Sequence, residues 1–490
     1  MASTHVPRRV DVLVIGAGII GSTTSSLLAE LEPQWDILVV EALGAAGLES
    51  SYGWNNAGTG HAGLCEFNYT PAAADGSVDP AAALRIHEQF LVSAQYWARL
   101  AADGQLGEPE GFIRSVDHNS YAHTADWASY LETRYRALSA HPLFEHMEFS
   151  RDPETLKRWL PAMFEQRADF SSIAATRSTL GTDVDYGTLS QGLLDHALAQ
   201  GAAVQLGTSV RRLQHTAAGR WRAELSTGES LDAGFVFTAA GGGTLPLLQQ
   251  AGIAETRNMG GFPISGQFLR TANPRLVARH RAKAYSHPAP GAPPLSVPHL
   301  DLRVMDGTEY LVFGPFGAFS PRFLKAGKLW DLPGSVTVHN LRTLLEAAKN
   351  GTGMLRYFIG ELLRTPASRL KELENFLPEV HAGDWELITA GQRVQLAKRI
   401  DGQGRIAGFG TEVVLSSDGT LAAVLGASPG ASASVSVVLD LLAASFPQHF
   451  GRWLEALRGQ LPHLGTTLND DPQALAHVRT QIARGLKLDW

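Results

Sequence analysis

The sequence predicts an α/β fold with two domains: a discontinuous Rossmann-type dinucleotide-binding domain and a mixed α/β domain inserted into it. Three observations support this prediction. A βαβ unit with a GxGxxG turn opens the chain, further glycine-rich turns follow at 239–243 and 426–430, and an extended, proline-rich stretch from about 255 to 345 lies between those two turns. With 490 residues, the chain is long enough for both domains.

The first βαβ unit spans residues 10–41. Val10–Ile15 is a continuous apolar run of the kind found in strands that are covered on both faces. Ser22–Leu31 has helical character, Pro33 closes it, and Trp35–Val40 is a second apolar strand. This order of elements is what a dinucleotide-binding motif requires around its glycines.

The glycines of the GAGIIG turn each meet a separate physical need. Gly16 permits a tight turn out of the strand, Gly18 lets backbone approach a pyrophosphate, and Gly21 lets helix and strand pack closely. The helix that follows directs its first amide groups at the phosphates. Glu41, at the end of the second strand, is placed to accept hydrogen bonds from an adenosine ribose.

The rest of the chain favours FAD over NAD, because the motif alone is compatible with both. An NAD dehydrogenase usually closes its nucleotide domain within about 150–180 residues. Here a strand at Phe235–Ala239 runs into Gly241–Gly243, and Leu425–Ser434 starts a late helix without bulky side chains. Such a helix start can approach a flavin and stabilise negative charge on it. We therefore predict a flavoprotein.

Patterning predicts the remaining elements and the domain limits. Helices are predicted at Ala83–Leu100, Ala125–Ala140, Asp185–Gln200, Leu245–Ala251, Leu341–Leu363 and Arg369–Phe376. Strands are predicted at Ala203–Leu206, Arg222–Leu225, Glu386–Ala390, Glu412–Leu415 and Thr420–Leu425. We predict FAD-domain parts at 8–75, 181–254 and 384–450, a helical segment at 76–180, a substrate domain at 255–383 and a C-terminal tail at 451–490.

Composition limits the functional classes. The net charge of −7 gives no reason to expect a nucleic-acid partner, and Cys65, the only cysteine, excludes an intrachain disulfide and a cysteine-based zinc site. We expect no metal. The N-terminus lacks the pattern of a secretory signal, and no stretch of 18 or more apolar residues occurs, so we expect a cytoplasmic protein. Peripheral attachment to the inner face of the cytoplasmic membrane is compatible with this. Phe446–Trp453 is a candidate contact, with a core position as the alternative.

Long sequence blocks resemble the malate:quinone oxidoreductase family. The segment SSYGWNNAGTGHAGLCEFNYTP at 50–71 carries the resemblance most strongly. Further blocks follow in the same order, at Gly181–Ser190, Gly241–Ile253, Gly261–Leu269, Val297–Arg303, Phe313–Lys325, Gly391–Leu396 and Leu425–Val437. The resemblance extends from Arg9 to about Pro447; Leu302 stands where the family more often has Thr, and Cys65 is at a variable position. It implies oxidation of (S)-malate to oxaloacetate by hydride transfer to N5 of FAD, reduction of a membrane quinone, and a place in the tricarboxylic acid cycle.

Oxidation of a 2-hydroxy acid needs a base and cations that hold carboxylates. His299 and Arg303 supply a base and a clamp on one face of a strand, and Arg322 and Lys325 supply candidates for a second carboxylate. His61 is the rival base, and the choice between it and His299 stays open. The predicted cofactor-binding residues are Gly16, Gly18, Ile19, Gly21, Glu41, Ser50, Ser51, Asn55, Asn56, Gly241, Gly242, Gly426, Ser428, Gly430 and Ala431, where Asn55 and Asn56 either contact the flavin or form an Asx turn.

Other functions compatible with these residues remain as alternatives. The nearest is a related FAD-dependent 2-hydroxy acid dehydrogenase or amine oxidase, acting for example on 2-hydroxyglutarate, glycerol 3-phosphate or an amino acid. An NAD-dependent dehydrogenase and a flavin-binding scaffold without activity are more distant alternatives. The sequence does not indicate the oligomeric state.

Overall fold

Two large β-sheets organise the protein, seen in a computed structural model that describes residues 7–287, 297–351, 353, 360–361, 364–407, 410–427 and 430–490. The strands are β1 (Arg9–Ile15), β2 (Ile37–Val40), β3 (Ile113–Ser115), β4 (Asp117–Ala122), β5 (Glu148–Ser150), β6 (Ala174–Ser178), β7 (Thr182–Val184), β8 (Ala203–Gln205), β9 (Val210–His215), β10 (Trp221–Leu225), β11 (Ser230–Thr238), β12 (Gly260–Thr271), β13 (Ala282–Tyr285), β14 (His299–Met305), β15 (Thr308–Phe319), β16 (Glu386–Ile400), β17 (Gln403–Ile406), β18 (Gly410–Leu415) and β19 (Leu421–Ala427).

Helices cover both sheets and fill the space around them. The α-helices of the described ranges span Ile19–Leu31, Ala81–Ala102, Ala125–Ser139, Pro153–Trp159, Pro161–Phe164, Tyr186–Ala199, Thr244–Gln250, Pro274–Arg279, Asp331–Ser335, Leu341–Asn350, Pro366–Leu373, Ser434–Ser445, Pro447–Gln460 and Pro472–Leu486. Of the predicted helix Leu341–Leu363, the structure shows the part up to Asn350, and most of the remainder lies outside the described residues.

The eight-stranded sheet is the predicted dinucleotide-binding sheet. Its main order is β18-β19-β11-β1-β2-β8, and β9 and β10 extend it beside β11. The neighbours from β19 to β8 are parallel, whereas β18 is antiparallel to β19. Strands from the beginning, middle and end of the chain therefore meet in one sheet, as the glycine-rich turns predicted. The apolar runs of β1 and β2 are buried along nearly their whole length because helices cover one face, and β9, β10 and the short helix Thr244–Gln250 contribute to the core on the other.

The turn after β1 has the geometry that its glycines allow. Gly16 has φ of +98°, a conformation that side chains disfavour. A methyl group at Gly21 would lie 1.9 Å from the carbonyl oxygen of Gly16, so the first helical turn packs directly on the end of the strand. The start of the helix is thereby held at the carboxyl end of β1, where a parallel sheet binds ligands.

The nine-stranded sheet contains the strands of the predicted inserted domain and also β16 and β17, which the sequence analysis assigned to the FAD-domain part at 384–450. Its order is β17-β16-β12-β15-β14-β13-β4-β6-β5. All neighbours are antiparallel except β13 and β4. The stretch 76–180, which the sequence predicted to be helical, contributes β4, β5 and β6 to this sheet. These strands are short, and β4 buries polar residues such as His118 and Asn119, so the apolar periodicity gave no sign of them.

The aromatic segment 446–453 belongs to the core. Trp453 is buried, and its indole nitrogen donates a hydrogen bond of 2.7 Å to Glu32. Phe446 packs against Trp35 and Phe235. The contacts of these rings favour the core position that the sequence offered as the alternative, and a membrane contact of this segment stays a prediction. Among the helices of the described residues, none has the length and apolarity needed to cross a bilayer.

A Gly21→Ala substitution should lower the free energy of unfolding by about 1–3 kcal/mol, because the new methyl group meets a backbone oxygen that cannot move aside. Urea unfolding of the purified protein measures this. Gly459→Ala is the matched control: Gly459 lies in a helix with open space around it, and alanine favours helices. Equal losses in both variants would contradict the close packing at Gly21.

Candidate active site

A cavity of about 800 Å³ is lined by residues from both sheets. Thirteen of the predicted cofactor-binding residues line it: Gly16, Gly18, Ile19, Glu41, Ser50, Ser51, Asn55, Asn56, Gly241, Gly242, Gly426, Gly430 and Ala431. Gly21 lies behind the lining and acts through packing. Ser428 lies outside the described residues. The three glycine-rich turns thus converge on one space.

Glu41 and Ser51 shape the end of the cavity beside the first turn. The Glu41 carboxylate accepts hydrogen bonds from the backbone amides of Ala17, at 2.7 Å, and Leu43, at 2.8 Å. The hydroxyl of Ser51 accepts one from the Ile19 amide, at 2.9 Å. These contacts orient both side chains at the cavity surface. A carboxylate held at the end of the second strand is suitably placed for ribose hydroxyls.

Asn55 and Asn56 brace the loop that leads to His61. The Asn56 side-chain oxygen accepts a hydrogen bond of 2.9 Å from the Gly58 amide, which is an Asx turn. The Asn55 side chain donates to the Glu49 carbonyl at 2.7 Å and accepts from Lys325 Nζ at 2.8 Å. Both amides also line the cavity. Their structural role is therefore clear from these bonds, and a contact with a flavin stays a prediction.

Strand β14 carries its charged and titratable side chains on one face. Leu300 and Leu302 point into the apolar core of the inserted domain, whereas the alternate residues face the other way. His299 lines the cavity, and its Nδ1 lies 2.8 Å from the Asp301 carboxylate. His299 and Arg303 share a face, as the spacing predicted. The carboxylate of Asp301 separates them, and only His299 reaches the cavity.

Arg303 is engaged behind the cavity instead of lining it. Its guanidinium lies 2.5 Å from the Asp183 carboxylate and donates at 2.8 Å to the Gly53 carbonyl. A methyl group at Gly58 would lie 1.2 Å from Arg303 Nη1, so the guanidinium is wedged against the loop backbone. In this arrangement Arg303 holds the loop 53–58 in place. The role of carboxylate clamp that the sequence suggested for it does not fit this position.

Lys283 is a second buried cation beside Asp183. Lys283 Nζ lies 2.9 Å from the Asp183 carboxylate and 3.7 Å from that of Asp301, and it donates to the Ala57 carbonyl at 2.9 Å. The side chains of these three residues and of Arg303 are at most 1% exposed. We call Asp183, Lys283, Asp301 and Arg303 the buried charge cluster. Its two cations and two carboxylates alternate, which compensates the cost of removing each from water.

Ionisation of the cluster follows from this pairing. Burial alone would raise the pKa of Asp301, but His299 and Lys283 beside it hold that pKa below its usual value. Likewise, burial opposes ionisation of Asp183, whereas Arg303 and Lys283 lower its pKa. Both carboxylates are therefore charged at neutral pH, and Asp301 is able to stabilise a protonated His299.

His61 forms a second histidine–carboxylate pair at the same cavity. Its Nδ1 lies 2.5 Å from Glu66, and both residues line the cavity. Burial would raise the pKa of Glu66, but the hydrogen bond and charge of His61 contribute to lowering it to about 2. The structure thus brings both predicted bases to one cavity: His61 is hydrogen-bonded to Glu66 through Nδ1, and the Nδ1 of His299 lies at ion-pair distance from Asp301.

Neither Arg322 nor Lys325 lines the cavity. Arg322 is exposed, and Lys325 Nζ donates to Asn55 and to the Thr389 carbonyl at 2.8 Å. The cation in the lining is Arg393 of β16; its backbone pairs with β12, but its guanidinium forms no hydrogen bond or ion pair with the described residues. Sequence reasoning missed it, although the block at 391–396 contains it. A cation in a block of strong resemblance, just after the strand predicted at Glu386–Ala390, was the available signal.

Comparison with known proteins identifies the family. Residues 8–488 match the family described as malate:quinone oxidoreductase (Mqo). A probable malate:quinone oxidoreductase from Leifsonia xyli is 48% identical over 98% of this chain and 99% of its own, and one from Micrococcus luteus is 47% identical over the full length of both. The chain belongs to the malate:quinone oxidoreductase family.

Solved structures show the same fold at low sequence identity. L-α-glycerophosphate oxidase from Mycoplasma pneumoniae, solved with FAD bound, has a TM-score of 0.59 at 14% identity, covering 90% of this chain and 95% of its own. Glycine oxidase from Geobacillus kaustophilus has a TM-score of 0.57 at 14% identity, with the same coverage. The predicted two-domain flavoprotein fold is confirmed.

Membership of the malate:quinone oxidoreductase family also confirms the enzyme class. The family name describes an oxidoreductase that takes electrons from the CH–OH group of malate and gives them to a quinone. FAD as the cofactor is confirmed with it. The glycine-rich turns, the oriented Glu41 and a cavity of sufficient size fit that cofactor. The roles of individual residues remain proposals.

An Asp183→Asn substitution should lower the free energy of unfolding by about 3–5 kcal/mol, because it leaves Lys283 and Arg303 buried with an excess of positive charge. Urea unfolding measures the loss. Asp232→Asn is the matched control, since Asp232 pairs with the exposed Arg222 and its loss should change stability little. A small effect at Asp183 would show that the buried charge cluster does not support the fold.

Proposed function

We propose that this enzyme oxidises (S)-malate to oxaloacetate in the cavity described above, with His299 as base and Arg393 as carboxylate anchor, and passes the electrons to a membrane quinone. This reaction belongs to the tricarboxylic acid cycle. The observation that supports it best is one cavity that joins a dinucleotide cradle to an oriented histidine and a cation. These are the groups that a flavin-dependent 2-hydroxy acid oxidation needs.

The cofactor would extend from the first turn to the late helix. Gly16, Gly18 and the start of the helix Ile19–Leu31 would hold the pyrophosphate, and Glu41 the ribose. Gly426 has φ of +90° and lines the cavity with Gly430 just before the helix Ser434–Ser445, so that backbone can approach the ring system closely. FAD, when bound, accepts a hydride at N5 and passes electrons on to an acceptor.

His299 is the proposed base because of its partners. Its ring stacks on Tyr285, with centroids 4.3 Å apart and an interplanar angle of 7°, and its Nδ1 faces Asp301. This fixes the ring and leaves Nε2 to take the proton of the C2 hydroxyl. Asp301, charged and buried, then stabilises the protonated ring. His61 has a comparable carboxylate but is more exposed, at 23%, so water competes more at its ring.

Arg393 is the proposed anchor for a malate carboxylate. It lies on the cavity wall, where no described residue neutralises it, and a guanidinium binds a carboxylate through two parallel hydrogen bonds. Burial lowers the pKa of Arg393, yet a guanidinium stays protonated at neutral pH. His61 and Tyr69, which also line the cavity, are available for the second carboxylate. An anionic substrate would supply the negatively charged partner that Arg393 does not find among the described residues.

A His299→Asn substitution should slow malate-dependent reduction of the bound flavin by about 10²-fold or more, because the base is lost while the cofactor site is intact. Anaerobic bleaching of the yellow protein in a stopped-flow instrument measures the rate. His61→Asn is the matched variant and should have the smaller effect. The reverse order of the two effects would assign the base to His61. Bleaching by 2-hydroxyglutarate but not by malate would overturn the proposed substrate.

An Arg393→Met substitution should lower kcat/KM for malate by about 10²-fold, mainly through KM, because a buried charge-assisted contact is lost. Steady-state kinetics with a soluble electron acceptor measure this. Arg322→Met makes the same chemical change at an exposed position outside the cavity and should leave KM nearly unchanged. If Arg322→Met raises KM and Arg393→Met does not, the carboxylate anchor is Arg322, as the sequence suggested.

A further inference from the structure

A run of exposed apolar side chains lies between the strands β15 and β16. Val338 is 88% exposed, Trp330 74%, Leu329 64% and Leu345 63%. Val336 and Leu341 are also exposed. We call these six residues the apolar rim. Large apolar side chains exposed together in this way on a folded protein indicate a surface that another apolar phase covers.

The backbone under the apolar rim is well held. In the helix Leu341–Asn350, Thr343 and Ala347 are buried, and Leu344 packs at Gly260 of β12. Leu341 and Leu345, four residues apart, therefore lie together on the outward face of the helix. The exposure of the rim is a property of a helix fixed on the sheet.

The turn before that helix is also fixed. The Asn340 side chain donates to the Ser335 carbonyl at 2.9 Å and accepts from the Thr337 amide at 2.7 Å. Asn340 itself is buried. These bonds hold the chain on either side of Val338, so its side chain is presented outward on a defined turn.

The charge around the rim differs from that of the whole protein. From Arg322 to Lys349 the chain contains five Lys or Arg and two Asp or Glu, a net charge of +3, whereas the full sequence carries −7. Lys328 and Lys349, at either end of the rim, are exposed. An apolar segment flanked by the exposed cations Arg322, Lys328 and Lys349 matches a bilayer that contains anionic lipids.

The segment that leads into the rim is a wall of the cavity. Leu324 and Ala326 line the cavity, and the Phe323 carbonyl packs so closely on Gly242 that a methyl group there would lie 2.1 Å from its oxygen. The amide of Lys325 is bound by the Glu49 carboxylate. The rim therefore begins three residues after the cavity wall ends.

We propose that the apolar rim docks on the surface of a bilayer that contains anionic lipids, and that docking brings the cavity wall at 324–326 to the membrane that holds the quinone. This proposal rests on the proposed function, because it locates the acceptor of that reaction. A bilayer fits the rim better than a second copy of the chain does. Lysine is depleted in protein–protein interfaces, whereas Trp beside Lys and Arg is typical of membrane interfaces.

Sedimentation with lipid vesicles tests the docking directly. The FAD-loaded enzyme should bind vesicles of phosphatidylcholine with phosphatidylglycerol at least about tenfold more tightly than vesicles of phosphatidylcholine alone. The double variant Trp330→Glu/Val338→Glu should bind the anionic vesicles at least about tenfold more weakly than the parent. The control Leu206→Glu/Val413→Glu adds the same charge at exposed apolar positions outside the rim and should bind nearly as the parent does.

A kinetic comparison connects docking to quinone reduction. The rim variant should reduce a water-soluble acceptor such as dichlorophenolindophenol with malate at the parental rate. Its rate with a quinone embedded in anionic vesicles should fall at least about tenfold. Unchanged vesicle binding by the rim variant would overturn the proposal. So would a rim variant that changes only the oligomeric state in solution, because the rim would then be a contact between copies.

The two proposals fail in different ways. If malate does not bleach the flavin of the parent enzyme, the proposed function is wrong, whatever the vesicles show. If malate bleaches the flavin and the rim variant still binds vesicles as the parent does, only the docking surface is wrong.

Discussion

The arrangement of the active site depends on two carboxylates that are buried among cations. The Asp183 carboxylate forms ion pairs with Arg303 and Lys283. The Asp301 carboxylate lies between Lys283 and His299. Each cation also donates to a carbonyl of the loop at 53–57, so the two cations connect that loop to β13 and β14. Because an unpaired charge is costly at such depth, one arrangement is strongly preferred over others. The orientation of His299 and the path of the loop toward His61 both follow from it.

Different kinds of residue line different parts of the cavity wall. Backbone and small residues form the cradle at the first turn, where a cofactor phosphate needs close approach. Charged and aromatic side chains of the inserted domain form the opposite part, where Arg393 and His299 lie. No side chain among the described residues forms a hydrogen bond or ion pair with the Arg393 guanidinium, whereas the Arg303 guanidinium is bound by Asp183 and by two backbone carbonyls. A free cation is available for a ligand, and an engaged one is part of the scaffold.

The sequence predicted those parts of the site that depend on residues close together along the chain. Gly16, Gly18 and Glu41 are close in sequence, and alternation in a strand predicted that His299 and Arg303 share a face. Pairing across long separations was not predictable in the same way. Asp183 stands 120 residues before Arg303, and nothing in their surroundings links them. The role of Arg303 was misjudged for this reason. Strand β4 was missed because its polar residues are buried only after the sheet has formed.

The strands of the eight-stranded sheet come from distant parts of the chain, and this has a consequence for biosynthesis. Its central strand β1 lies between β2 and β11, while β18 and β19 at one side come from residues 410–427. A ribosome therefore completes the dinucleotide cradle only when most of the 490 residues have been made. Until then the end of β11, at 236–238, lacks its neighbour β19, whereas β10 already pairs with the beginning of β11. A cofactor that needs Gly426 and Gly430 as well as Gly16 can therefore be fully enclosed only after the last of the three glycine-rich turns has been synthesised.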